Sequence, residues 1–127
     1  MRIAEWEAVD GSQRVSITAS TAGGDLISNV NRWRGQIGLD TASDQEIAQA
    51  LRRVSLGGLP GDYVELVGPE SSNPRQTILG VIVQATGRQW FFKLQGDADL
   101  AKREQTRFEE FVKSIRFRGE EGNADGR

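Results

Sequence analysis

The chain has neither cysteine nor histidine among its 127 residues. The first absence removes disulfides, thiol nucleophiles and thiolate metal sites together. The second removes the commonest general base and the commonest transition-metal ligand. A metal would need oxygen ligands, hence a hard ion such as calcium or magnesium, and neither a metal nor a cofactor is expected. A dominant charge is lacking too, since 16 Lys and Arg against 18 Asp and Glu leave a net charge of −2, with the signs mixed along the chain. No basic stripe marks a phosphate backbone as partner, so nucleic-acid binding is not expected. No apolar run approaches the roughly 20 residues that span a bilayer. Met1 runs straight into an apparent strand without a charged and apolar leader. That start reads as a cytoplasmic chain, or as a mature or trimmed fragment.

What is present suits one globular domain with a real core: 37% of residues are hydrophobic and 27% charged. Trp6 and Ala8 alternate with Glu5 and Glu7, and Val15, Ile17 and Ala19 with Ser16 and Thr18, across a turn at Asp10, Gly11 and Ser12. This period of two predicts a β-hairpin. Leu26, Val30, Trp33 and Ile37 then recur at helical spacing, and Gly38 can take the left-handed cap that ends the helix. Ser43 and Glu46 have the form of a capping box, opening a second helix with Ile47, Ala50, Leu51 and Val54 on its apolar face. Residues 57–62 read as a loop, Tyr63 to Val67 as a short strand, and 69–75 as an exposed polar loop. Residues 77–85, almost entirely apolar and rich in β-branching, predict a central strand covered on both faces. After a turn at 86–88, residues 89–95 return as a strand. Asp97 is expected to cap a last helix reaching Ser114, whose main face includes Leu100, Arg107, Phe108, Phe111, Val112 and Ile115. The expected fold is α+β: an α/β/α sandwich whose largely antiparallel central sheet, of about five strands, carries helices on both faces. Residues 1–118 form this single domain, and 119–127 read as a flexible polar tail.

Residues 29–36 are the densest polar stretch, with Asn29, Asn31, Arg32, Arg34 and Gln36 around Trp33. On a helix, Trp33 shares the face of Leu26, Val30 and Ile37 and belongs to the core, while Asn29, Arg32 and Gln36 lie along one flank and Asn31 and Arg34 along the other. Two roles are open to them. They fix the helix by binding loop carbonyls and carboxylates, or Asn31, Arg32 and Arg34 present a surface to a partner protein. An alternative is a small-ligand or anion site that Gly23 and Gly24, where free amides start the helix, line together with Arg32 and Arg34, although Asp25 would itself fill the helix start as a cap. Trp90, Phe91 and Phe92 are neighbours on one strand, so they point to opposite faces and read as core rather than as a base-stacking platform. Serines and threonines have no histidine to activate them, and no G-x-S-x-G or S-x-x-K motif occurs. The paired acids Glu5 and Glu7, Asp97 and Asp99, and Glu109 and Glu110 leave carboxylate-only catalysis open, a Ser-Lys arrangement with Lys93, Lys102 or Lys113 is formally open too, and the chain is read as non-enzymatic.

Residues 24–39, which contain the run Asn29-Val30-Asn31-Arg32-Trp33-Arg34-Gly35-Gln36, resemble a block shared by uncharacterised bacterial envelope proteins. A second block, Trp90-Phe91-Phe92-Lys93-Leu94-Gln95-Gly96 followed by residues 108–117, resembles their C-terminal segment. Such proteins are similar to the PsbP/Mog1-like fold group, antiparallel sheets sandwiched by helices whose members act mainly through protein contacts. The resemblance implies a protein partner, no catalytic residues, and a periplasmic or membrane-anchored place in the envelope. Relatives carry an export or lipoprotein signal ahead of the first strand, where this chain begins at Met1.

Overall fold

The computed structural model describes residues 2–117, so the expected tail at 119–127 lies outside the described residues. The first two strands, β1 (Arg2–Asp10) and β2 (Gln13–Thr21), form the expected hairpin. Helices α1 (Leu26–Gln36) and α2 (Asp44–Ala50) follow. Strands β3 (Arg52–Leu56), β4 (Leu59–Val67), β5 (Gln76–Ala85) and β6 (Arg88–Asp97) then form a meander that leads into α3 (Ala98–Ser114). All six strands join one sheet in the order β1-β2-β6-β5-β4-β3, and every neighbouring pair is antiparallel. Because β2 and β3 run the same way at a distance of four strands, the chain must return between them, and α1 with α2 makes that crossover.

The strand missed in the sequence is β3. Ile47, Ala50, Leu51 and Val54 do keep a helical period, but α2 stops at Ala50 and Leu51 turns extended (φ −79°, ψ 144°). The deciding signal is Gly57-Gly58, both at positive φ (59° and 89°), which closes a two-residue hairpin between β3 and β4. Residues 59–62, expected in a loop, therefore belong to β4, and the sheet has six strands rather than about five.

Two cores lie on opposite sides of the sheet. Val30, Trp33 and Ile37 of α1 and Ile47 of α2 pack with Val64, Leu66, Ile78, Ile82 and Phe91 on one side. On the other, Leu100, Ala101, Phe108 and Val112 of α3 pack with Tyr63, Leu79, Val81, Val83, Phe92 and Leu94. Strand β5 is buried along nearly its whole length, as its sequence requires of a strand covered twice. Two details of α3 depart from expectation. Asp97 makes no capping bond, because its carboxylate accepts from the Arg14 amide (2.9 Å). Arg107 leaves the apolar face for water, 80% exposed and 3.5 Å from Glu104.

Candidate functional site

Helix α1 begins at Asp25, whose carboxylate accepts from the Ser28 amide (2.7 Å) and hydroxyl (3.1 Å). These bonds, the amide first, hold the Asp25 pKa below its ordinary value. The helix ends in a Schellman motif, with Leu39 N donating to Arg34 O (2.9 Å), Gly38 N to Gly35 O (3.3 Å), and Gly38 at φ 87°. The capping box of α2 is complete: Glu46 N donates to Ser43 Oγ (3.1 Å) and Ser43 N to Glu46 Oε1 (2.9 Å). It lowers the Glu46 pKa in the same way, the Ser43 amide contributing most.

The polar residues of α1 divide between two flanks. Toward α2, Asn31 forms a two-way pair with one peptide, donating to Ala42 O (3.1 Å) and accepting from Ala42 N (2.8 Å). Arg34 Nε donates to Asp40 O (2.7 Å). Both side chains thus clamp the segment that joins the helices. Toward β2 and β6, Arg32 Nη1 donates to Asn29 Oδ1 (2.6 Å), and Lys93 Nζ donates to Gln36 Oε1 (2.9 Å) while lying 5.7 Å from the Trp33 ring centre. Arg32, Trp33 and Lys93 line a groove of about 240 Å³ with Thr18 and Ser20 of β2. Of the three residues singled out in the sequence, only Arg32 opens onto this groove.

Sequence reasoning put Asn29 on a polar flank, yet it is 1% exposed. Its amide donates to Gly23 O (3.2 Å) and Asp25 O (2.8 Å), so it ties the incoming chain to the helix. Gln89 does the same from β6, donating to Ala22 O (3.3 Å) and Gly24 O (3.0 Å). Gly23 and Gly24 line an open depression of about 600 Å³ with Thr21, Gln84, Arg88 and Gln89, and not with the expected Arg32 and Arg34, of which the first opens onto the groove beside β2 and the second binds Asp40 O. The Asp25 carboxylate already occupies the first-turn amide that an incoming anion would seek.

The remaining candidates separate cleanly. Phe91 lies edge-on to Trp33 (5.7 Å, 78°), while Trp90 and Phe92 stack with each other (6.3 Å) on the opposite side. Glu7 pairs with Arg14 (3.2 Å), and no group of three or more potential metal-binding side chains occurs among the described residues. No helix of the described residues is long and apolar enough to cross a membrane. A polar cluster that the sequence did not suggest sits under α3, where Tyr63 Oη donates to Glu109 Oε2 (3.2 Å). Arg52 donates to the same oxygen (3.3 Å) and its guanidinium carbon stands 4.5 Å over the Tyr63 ring. Burial, above all, pushes the Tyr63 pKa up to about 12.

No protein-family model and no curated protein matches this chain. A crystal structure of a Pseudomonas aeruginosa protein of unknown function, PA94, is similar in fold. It superposes with a TM-score of 0.52 over 91% of this chain and 82% of that one, at 9% sequence identity. The likeness is one of fold.

Proposed function

We propose that this chain is a non-enzymatic interaction domain of the bacterial cell envelope, PsbP/Mog1-like in fold, which holds an acidic segment of a partner protein in the Arg32 groove. The observation that carries this reading is the state of Arg32. Its guanidinium meets a neutral amide oxygen and shares a groove with the Lys93 ammonium and the Thr18 and Ser20 side chains. Guanidinium and ammonium together suit carboxylates, and hydroxyls supply further donors. Asn31 and Arg34 contribute by fixing the segment that follows the helix. The envelope setting rests on the resemblance of the 29–36 and 90–96 blocks to envelope proteins.

The test is capture from a bacterial envelope extract, wild type against Arg32→Ala and Lys93→Ala. Both variants should lose the partner, and raising salt should weaken capture by wild type, since exposed ion pairs are screened. The Arg32→Ala change should move folding stability by under about 1 kcal/mol. Undiminished capture by a folded Arg32→Ala variant would overturn the reading. A second reading, a small-anion site over Gly23 and Gly24, has one observation in its favour: Arg88 lines that depression, and its guanidinium has no hydrogen bond or ion pair among the described residues. It requires that inorganic phosphate stabilise the wild type and not Arg88→Ala.

A further inference from the structure

Across the sheet from the Arg32 groove, a second groove of about 310 Å³ runs between α3 and the strands β4 and β5. It exists because α3 turns small side chains, Ala98 and Ala101, toward β4 where the rest of the helix presents Leu100, Phe108 and Val112 to the core. The floor is Leu79 and Thr77. Thr77 is 5% exposed, and its hydroxyl has no hydrogen-bond partner among the described residues. Buried hydroxyls are normally paired, and an unpaired one is costly. An unsatisfied hydroxyl in the floor of a groove is therefore a group waiting for an occupant.

The charges around the rim narrow the occupant's chemistry. Arg75 and Lys102 carry positive charge and Glu65 and Asp99 negative, with Gln105 beside them. Glu65, Asp99 and Lys102 form no ion pair with any described residue, and Arg75 spends its Nε on Gly68 O (2.7 Å). Opposite charges that share a groove without closing on each other leave room for a dipolar molecule between them. Their order along the strands sets its length. Arg75 lies at the end where α3 begins, its carbonyl accepting from Ala98 N (2.9 Å). Glu65 lies beside Leu79, four positions further along β5, with Thr77 midway. At about 3.3 Å per residue the two ends stand roughly 13 Å apart at the backbone, before the long side chains lean inward. The charges of a free amino acid are too close together to reach both ends. A volume of about 310 Å³ also sits at the small end of the range for ligand pockets.

We infer that this groove binds a short peptide with both termini free, its carboxylate toward Arg75, its ammonium toward Glu65, and an internal amide on the Thr77 hydroxyl. The experiment is an NMR titration of the full chain with trialanine, N-acetyl-trialanine and trialanine amide, following backbone amides. Trialanine should give saturable shifts at Thr77, Leu79 and Ala101, and each blocked form should bind about tenfold more weakly, the loss of one charge-assisted bond. Arg75→Gln should abolish the discrimination against the amide, and Glu65→Gln that against the acetylated form. Thr77→Val separates binding from structure. It should raise the melting temperature of the free protein, because a lone buried hydroxyl is removed, while weakening trialanine about fivefold. No saturable shift up to about 10 mM, a range where even weak binding registers, overturns the inference. So do equal affinities for the three peptides, or full affinity in Thr77→Val.

Discussion

Gly80 is the position at which a single methyl group tests the whole packing of α1 on the sheet. It lies at the middle of β5, paired with Val64 on one side and Lys93 on the other. A Cβ built there would lie 2.3 Å from Cζ3 of Trp33, 2.8 Å from Cη2 and 3.0 Å from Cε3. Carbon atoms prefer roughly 3.5–4.0 Å, so the indole would have to lift by more than about 1 Å. It cannot slide easily, being 2% exposed and braced edge-on by Phe91. The backbone cannot retreat, since both neighbouring strands hold it. Overpacking of this kind costs about 1–3 kcal/mol. Replacing a mid-strand glycine by alanine returns roughly 0.5–1 kcal/mol of backbone entropy, so Gly80→Ala should lose about 1–2 kcal/mol net. Urea unfolding followed by far-UV circular dichroism measures this, and the double-mutant cycle with Trp33→Leu assigns it. With the indole gone, Gly80→Ala should instead stabilise by roughly 0.5–1 kcal/mol, so the coupling equals the overpacking term of about 1–3 kcal/mol. A Gly80→Ala protein as stable as wild type, or a penalty that persists undiminished beside Trp33→Leu, would refute the reasoning.

Tyr63 is the chain's single tyrosine, so tyrosinate absorbance near alkaline pH reports it alone; it should titrate near 12 rather than 10. Because the folded pKa is the raised one, its contribution to stability is complete below pH 10 and lost as pH climbs toward 12, and Tyr63→Phe should remove that alkaline slope. Glu109→Gln should lower the Tyr63 pKa, since the carboxylate both accepts from the phenol and repels the phenolate. Asn29→Ala should cost about 1–3 kcal/mol in chemical denaturation, because it removes the buried side-chain donor to Gly23 O and Asp25 O, the Asp25 carbonyl keeping only the backbone amide of residue 29. Ser43→Ala should cost about 1 kcal/mol by thermal unfolding and slow nothing else, as only the α2 capping box is touched.

The parts of the fold that could be read in advance are those where local chemistry and tertiary packing agree. Residues 77–85 are apolar on both faces because both faces are covered, and the capping box at Ser43 forms in the structure as the sequence wrote it. Legibility failed where two local patterns overlapped. Val54 continues the helical period of Ile47 and Ala50, yet it also alternates with Leu56 as a strand residue does, and the Gly57-Gly58 hairpin decided between them. The site was legible in half. Helical phasing put Asn31 and Arg34 on one flank and Arg32 and Gln36 on the other, as observed. It could not show that the first flank faces a loop to be clamped and the second a groove. The Thr77 groove and the Tyr63 cluster were out of reach, because each joins residues from strands and helix far apart in the chain.

The two flanks of α1 differ in a way that bears on what Arg32 is for. Arg34 and Asn31 bind backbone atoms of the segment they hold, so their polarity is consumed in architecture. Arg32 is positioned by a different device, an amide oxygen on Asn29, which is itself fixed by two carbonyls of the β2–α1 connection. A carboxylate at position 29 would hold the guanidinium more strongly and neutralise it in the same act. An amide holds its direction and leaves its charge intact. The same amide donates through its nitrogen to Gly23 O and Asp25 O, which a carboxylate could not do, so asparagine at this position serves the packing of α1 and the orientation of an unneutralised Arg32 at once.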